Sequence, residues 1–265
     1  MKIIFPELNS NEIAREAANH FEDIEFIPTD NLEQAVEMLK AKQADTIISG
    51  LNYSSRKVLL AYKAYLTLKS KYFSSCFICQ KQDQILTIAD GGVIKHPNSK
   101  QLYTIIEDTV DSFIKYTNKQ PKIALLSYST HGSGGEDTDL EKYQTCIQEI
   151  SDNHPDWIID GEMQLDAAVN PHIATKKTPH SPIKGEANVL IVPDLNSGNI
   201  LYKSLEQFGN FTIAGPMIQG FETPLADLSR GSTIEDVILT IKVLRSLLWN
   251  ISVPTAFVNQ PILLH

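Results

Sequence analysis

In the ten residues from Asp227 to Asp236, Asp-Leu-Ser-Arg-Gly-Ser-Thr-Ile-Glu-Asp, a guanidinium and a carboxylate flank what reads as the start of a helix. Ser232-Thr-Ile-Glu235 has the form of a capping box, in which the Ser232 hydroxyl takes one free amide and the Glu235 carboxylate reaches back to another. From Ile234 the apolar residues Ile234, Val237, Ile238, Ile241, Leu244 and Leu248 keep the three-and-four spacing of a packed helix. That spacing leaves Asp236 in the first turn but off the stripe, able to face a cleft. Arg230 lies beside the positive end of the helix dipole, where anions are favoured. Two readings are open. Either Asp236 complements the dipole and Arg230 caps a neighbouring carbonyl, or the two form an anion site with a carboxylate beside it.

Three further stretches gather polar groups. An expected strand, Lys122 to Ser127, opens into Tyr-Ser-Thr-His-Gly-Ser-Gly-Gly, residues 128 to 135. Small residues there let backbone amides approach an anion, and Ser129, Thr130 and Ser133 add hydroxyls; a plain turn is the alternative. Pro193 to Asn199 and Gly215 to Gly220 are also read as strand-end loops, and all three are expected to converge on one edge of the sheet, where open α/β sheets bind ligands. Asp160, Glu162 and Asp166 invite a hard cation, but no histidine pair stands at ligand spacing and Asp160-Gly161 is equally a turn, so no metal is expected. Lys176, Lys177 and Lys184 lie in an expected exposed loop, either solvated or near phosphate. Cys76 and Cys79, three apart in an expected strand, face opposite sides and complete no tetrahedral set.

The elements that must position these residues alternate. Strands are expected at 2–5, 24–27 and 44–49, each followed by a helix at 9–21, 31–42 and 54–70. Such alternation predicts an α/β fold with a parallel sheet covered by helices. Next come a strand pair at 73–78 and 85–89, helices at 100–118 and 140–153, strands at 157–159, 187–192 and 211–214, and a helix at 199–208. The chain has 265 residues and a net charge of −9, which argues against a nucleic-acid or anionic-membrane partner. Without an apolar run of about 18 residues, and with Met-Lys-Ile-Ile-Phe-Pro reading as a first strand rather than a signal peptide, a cytoplasmic location is expected. Three cysteines are too few and too odd a number for a disulfide framework.

From Lys122 onward, several motifs occur together in order: Ala124-Leu-Leu-Ser-Tyr-Ser-Thr130, Asp160-Gly-Glu-Met-Gln-Leu-Asp-Ala-Ala168, Lys184-Gly-Glu-Ala-Asn-Val-Leu-Ile-Val-Pro-Asp-Leu-Asn-Ser-Gly-Asn199, Gly215-Pro-Met-Ile-Gln-Gly220 and Asp227-Leu-Ser-Arg-Gly231. With these motifs the chain resembles the phosphate acetyltransferase family, whose relatives include phosphate butyryltransferases. The resemblance implies a two-domain fold like that of isocitrate and isopropylmalate dehydrogenases, with a ligand cleft between the domains. Residues 1–72 plus 219–265 would form a shortened first domain and 73–218 an inserted second one. It also implies a homodimer, and the reaction of acetyl-CoA with phosphate to give acetyl phosphate and CoA, with CoA a substrate and no cofactor or metal in the chemical step.

Carried onto this sequence, Asp236 matches the family's general base for the CoA thiol, Arg230 the cation that steadies negative charge, and Ser229 a hydrogen-bond donor. Ser127, Ser129, Thr130, Gly132, Ser133, Asn196, Asn199, Lys203 and Gln219 are the candidate substrate-binding residues. The first half departs from the pattern. The region before Ala44 is shortened and lacks an arginine associated with CoA, and a second family arginine aligns near Leu60-Ala61-Tyr62, with Arg56 the nearest cation. A non-catalytic acyl-CoA or acyl-phosphate binding module is therefore the alternative to an enzyme. A dehydrogenase is disfavoured because no G-x-G-x-x-G fingerprint is present.

Overall fold

The computed structural model describes residues 1–135 and 138–249, so residues 250–265 of the expected first domain lie outside the described residues. The chain begins with β1 (Lys2–Ile4), α1 (Glu12–Ala18), β2 (Glu25–Ile27), α2 (Leu32–Lys40), β3 (Thr46–Ser49) and α3 (Ser55–Tyr65). These helices start at defined points because the side chains of Asn11, Asn31 and Ser54 each accept a hydrogen bond from a first-turn amide. The hairpin β4 (Ser74–Lys81) and β5 (Gln84–Ala89) follows, then α4 (Ser99–Thr117), β6 (Lys122–Leu126), α5 (Thr138–Asn153) and β7 (Ile158–Met163). Two short helices, α6 (Leu165–Val169) and α7 (Pro171–Lys177), lead to β8 (Val189–Ile191), α8 (Leu195–Gly209), β9 (Thr212–Gln219), β10 (Leu225–Asp227) and α9 (Ile234–Trp249).

One ten-stranded sheet runs through the molecule in the order β2-β1-β3-β10-β9-β4-β5-β8-β6-β7. It is mixed rather than wholly parallel. The group β2, β1, β3 and β10 is parallel within itself, as is β5, β8, β6 and β7. Between them β9 is antiparallel to both β10 and β4, and β4 is antiparallel to β5. The two parallel groups therefore run in opposite directions. Of these three antiparallel steps, one has a local cause: β4 and β5 are joined by Gln82 and Asp83, with Gln82 at positive φ, and so short a link can only turn the chain back. The domain boundaries expected at 72/73 and 218/219 fall just before β4 and at the last residue of β9.

Apolar residues cover both faces of the sheet, alternating along each strand. On β4, Cys76 and Ile78 join the core that also holds Ile3, Phe113, Leu125 and Leu244, while Phe77 and Cys79 join the opposite core with Ile88, Leu190 and Tyr202. The two thiols thus face opposite sides, and burial pushes both up in pKa. A third cluster packs α2 and α3 on the strands through Leu32, Val36, Val58, Tyr62, Ile4 and Ile47. Each such large side chain contributes about 1.5–3 kcal/mol of hydrophobic stabilisation.

Several expected elements shift. Strand β7 continues through Asp160-Gly161, which is not a turn although its pairing with β6 shifts register after Gly161, and α8 begins at Leu195 because Asp194 accepts from the Ser197 amide and caps it there. Gly215 to Gln219 is not a loop but the continuation of β9. Pro216 is tolerated in it because the ladder to β4 is broken by a bulge between Cys76 and Ile78, where no donor is needed from proline. The basic stretch after Ala174 is partly helical, since Asn170 caps α7 and Pro171 fits its first turn.

Candidate active site

The capping box of α9 forms one residue later than its sequence suggests. Thr233, not Ser232, is the cap: its Oγ1 accepts from the Asp236 amide (3.2 Å), and the Asp236 Oδ2 accepts from the Thr233 amide and hydroxyl (2.8 and 2.9 Å). Aspartate replaces the usual glutamate as the residue that reaches back. The other oxygen, Oδ1, accepts from the Ile213 amide at the start of β9 (2.7 Å). Asp236 is consequently 2% exposed and does not face an open cleft. One turn on, the Thr240 hydroxyl accepts from the Gly215 amide (3.0 Å), so a polar stripe of α9 clamps the helix along β9.

Ser229 and Arg230 occupy the short link from β10 to α9, at the carboxyl end of β10. The Ser229 Oγ accepts from the Gly231 amide (3.2 Å), and its carbonyl accepts from the Ser232 amide (3.0 Å), which folds the link into a turn. Arg230 is exposed, and among the described residues its guanidinium has neither a hydrogen-bond nor an ion-pair partner. Arg56, in the first turn of α3, is likewise exposed and unpartnered among the described residues. Two exposed cations thus project from loops after neighbouring strands, near two helix N-termini, a natural place for an anion.

Beneath them lies a set of groups not singled out by sequence. Gly50, just after β3, has φ +118, and a Cβ there would stand 2.7 Å from Asp227 Oδ1. Glu7, just after β1, accepts from the Gly50 amide (2.7 Å) and the Asn52 amide (3.4 Å). Burial raises the Glu7 pKa against the pull of those amides, and burial raises that of Asp227 to about 7, with the Glu7 charge pushing the same way. The signal for Asp227 was its place at the head of the motif; Glu7 carried none beyond following Pro6.

The loop after β6 is satisfied from within. Gly132 donates its amide, and Ser129 its hydroxyl, to Glu162 Oε1 (2.7 and 2.8 Å), and the Gly134 amide donates to the Ser129 Oγ (2.8 Å). The Thr130 amide donates to Ser133 Oγ and the Ser129 amide to Ser127 Oγ, while His131, Ser133 and Gly135 donate to carbonyls. Every backbone amide from 129 to 135 thus has an internal acceptor, and the buried Glu162 carboxylate stands where an external anion was expected. Gln219 is equally engaged, donating to Ser74 and Thr109 and accepting from Ser112. Asn199 donates to the Gly91 carbonyl (3.4 Å), Asn196 is exposed on the first turn of α8, and the Lys203 ammonium lies 4.9 Å from the Tyr202 ring centre. Asp160 faces His131 (3.3 Å) and Asp166 faces Lys177 (2.8 Å); no group of three metal-ligating side chains occurs among the described residues.

The structure therefore divides the expected site. Ser229, Arg230 and Asp236 sit together at the carboxyl ends of β1, β3 and β10. The loops after β6 and β8 and the residue Gln219 lie at the other end of the strands, each bonded to its own neighbours. Ile213, bonded to Asp236, and Gln219 are the two ends of one strand, about 20 Å apart at the usual rise per residue. No hydrogen bond or ion pair among the described residues joins the two groups.

Comparison with known proteins agrees on one family. A family model described as Phosphate acetyl/butaryl transferase matches residues 7–244. The phosphate acetyltransferase of Treponema pallidum is 38% identical over 224 residues, covering 81% of this chain and 67% of that protein. That of Buchnera aphidicola subsp. Acyrthosiphon pisum is 39% identical over 214 residues, covering 80% of this chain but 30% of that protein. The chain thus spans about two thirds of one relative's length and less than one third of the other's. A solved phosphotransacetylase from Streptococcus pyogenes superposes with a TM-score of 0.80 at 26% identity, covering 93% of each chain.

Proposed function

Because this chain belongs to the phosphate acetyl/butyryl transferase family, we propose that it moves an acyl group between CoA and phosphate, acetyl-CoA + phosphate ⇌ acetyl phosphate + CoA. The observation that carries the reading is Arg230: an exposed guanidinium without a partner among the described residues, next to Ser229 and the N-terminus of α9. A planar fork in that setting suits the oxygens of a phosphoryl group and the carbonyl oxygen that gains charge during transfer. In the direction of acetyl-CoA synthesis, the thiol sulfur attacks the carbonyl carbon, a C–S bond forms, the C–O bond to phosphorus breaks, and phosphate leaves. The thiol proton passes to Asp236. Its Oδ2 is held only by Thr233 of the same turn, so a small opening of that turn frees it while Oδ1 stays on Ile213.

Thiol and carboxylate pKa values differ by about 4–5 units, which makes complete prior transfer uphill by roughly 6 kcal/mol. Proton removal must then accompany carbon–sulfur bond formation, with Arg230 and the helix end stabilising the developing charge.

The reading includes the division into 1–72 plus 219–265 and 73–218, with the cleft between them lined by both sets of strand ends, and a homodimer. A sheet twist of about 20–25° per strand supports the cleft, since over the five steps from β10 to β6 it accumulates to roughly 100–125° and turns the opposed ends toward a common side. The test is phosphate-dependent release of thiol from acetyl-, propionyl- and butyryl-CoA. Turnover with at least one, abolished by Arg230→Ala, is the expected result. Binding without turnover would favour the second reading, a non-catalytic acyl-CoA module, for which the scarcity of arginines speaks: of the four in the sequence, Arg15 is bound to the Asn9 carbonyl and Arg245 to Asp23.

A further inference from the structure

Three carboxylate oxygens without a hydrogen-bond partner among the described residues are buried together under the Ser229-Arg230 link: Oε2 of Glu7 and both oxygens of Asp227, residues only 1% exposed. Both side chains press on Gly50, Glu7 by accepting from its amide (2.7 Å) and Asp227 by standing 2.7 Å from where a Cβ would be. Two buried carboxylates so placed cannot both be charged without large cost, whereas one proton on the pair leaves a single buried charge, which the Gly50 and Asn52 amides already meet at Glu7. Neither is explained as a metal ligand, since no third ligating side chain joins them among the described residues.

We infer that the buried pair Glu7 and Asp227 carries a single proton, held by Asp227, and that Asp227 is a positioning residue: the protonated pair holds the link carrying Ser229 and Arg230 against the Gly50 turn, and loss of the proton loosens that link. The kinetic part rests on the proposed acyl transfer; the single proton does not. The groups facing Asp227 fit a single titration. Glu7 comes from the end of β1; Tyr62 comes from α3, its phenol pushed far up by burial and so neutral throughout; and the Ser55 hydroxyl draws the carboxyl down in part from outside hydrogen-bond geometry. Strands β3 and β9, on either side of β10, carry no titratable side chain, and Asp236 of α9 is turned to Ile213 and Thr233. Burial lifts Asp227 to about 7, which places the change in the neutral range.

The sign follows from proton counting. Between the unfolded carboxyl pKa near 4 and the folded value of about 7, the native state holds a proton that the unfolded chain has lost. This group's contribution to stability is therefore full below about 4, declines as pH rises toward 7, and stays lost above. Thermal unfolding midpoints of the parent, Asp227→Asn and Glu7→Gln from pH 4 to 9, with kcat over pH 6 to 9, test both parts. Asp227→Asn should flatten the decline between pH 4 and 7, and its kcat relative to the parent's should rise through pH 7, up to tenfold per unit. Glu7→Gln, which removes the neighbouring charge, should move the parent's limb to lower pH. An unchanged decline in Asp227→Asn overturns the single proton on Asp227. A flattened decline with an unchanged kcat profile overturns the positioning role. Absence of acyl transfer in the parent at every pH would sink the proposed reaction and the positioning role together, leaving the unfolding data to decide the single proton alone.

Discussion

Arg230 was legible because it stands in a short motif before a helix start, and among the described residues its side chain is in fact left without a partner. Its charge alone is not the argument; its shape is. Arg230→Lys keeps the cation but replaces a planar, two-pronged donor with a point charge, and the loss of one charge-assisted bidentate contact is worth about 1.5–3 kcal/mol. We expect kcat/KM for acetyl transfer to fall roughly 10- to 100-fold, measured by steady-state kinetics; near-parental values would make the guanidinium geometry irrelevant. Gly50 is a case that sequence could not settle. A glycine after a strand is ordinary, and only the structure shows that this one has φ +118 with Asp227 and Leu228 packed where a side chain would go. Gly50→Ala should therefore cost at least the roughly 1–3 kcal/mol of a strained backbone position, read as a lowered urea midpoint.

At the scale of elements, patterns with a strong period were readable and those decided by a single hydrogen bond were not. The helix beginning near Ile234 was expected, yet both Ser232 and Thr233 could cap it, and the choice fell to Thr233 because Asp236 can then tie the helix to the Ile213 amide. The Gly-Ser loop at 128–135 has the composition of an anion cradle, but composition does not say who the acceptor is, and Glu162 fills that role from the next strand. Asp236→Asn separates the two duties of that carboxylate. An amide can accept at only one of its two positions, so the unfolding midpoint should fall, by about 1–2 kcal/mol for a damaged cap. If Asp236 also takes the thiol proton, kcat should fall by two or more orders of magnitude at a temperature where the variant is folded, with KM little changed. A variant that is merely less stable, with parental kcat, would leave Asp236 as a cap and nothing more.

For the whole molecule, the run of βα units near the amino terminus made an α/β fold clear, while the opposed directions of the two parallel groups follow from three antiparallel pairings, β10 with β9, β9 with β4 and β4 with β5, that sequence patterning does not weigh. The first half also bears on affinity. Between β2 and β3 there is only α2, and that stretch contributes no arginine. Each missing charge-assisted contact to phosphate is worth about 1.5–3 kcal/mol if desolvated and far less if exposed. Dephospho-CoA should accordingly bind within a few-fold of CoA in calorimetric titration. A drop of tenfold or more would assign the nucleotide phosphate to other cations, with Arg56, Lys57 and Lys63 of α3 the first to substitute.

Strand β10 lies between β3 and β9 although it is the last strand in chain order among the described residues. During synthesis, then, β3 leaves the ribosome with one flank bare and stays so until residues 225–227 arrive more than 170 positions later, whereas β4 to β9 can assemble from their own stretch of chain. An exposed strand flank is a template for pairing with other chains. The nascent amino-terminal third is thus the part most in need of chaperone cover, and products cut short before Leu225 should be the aggregating ones.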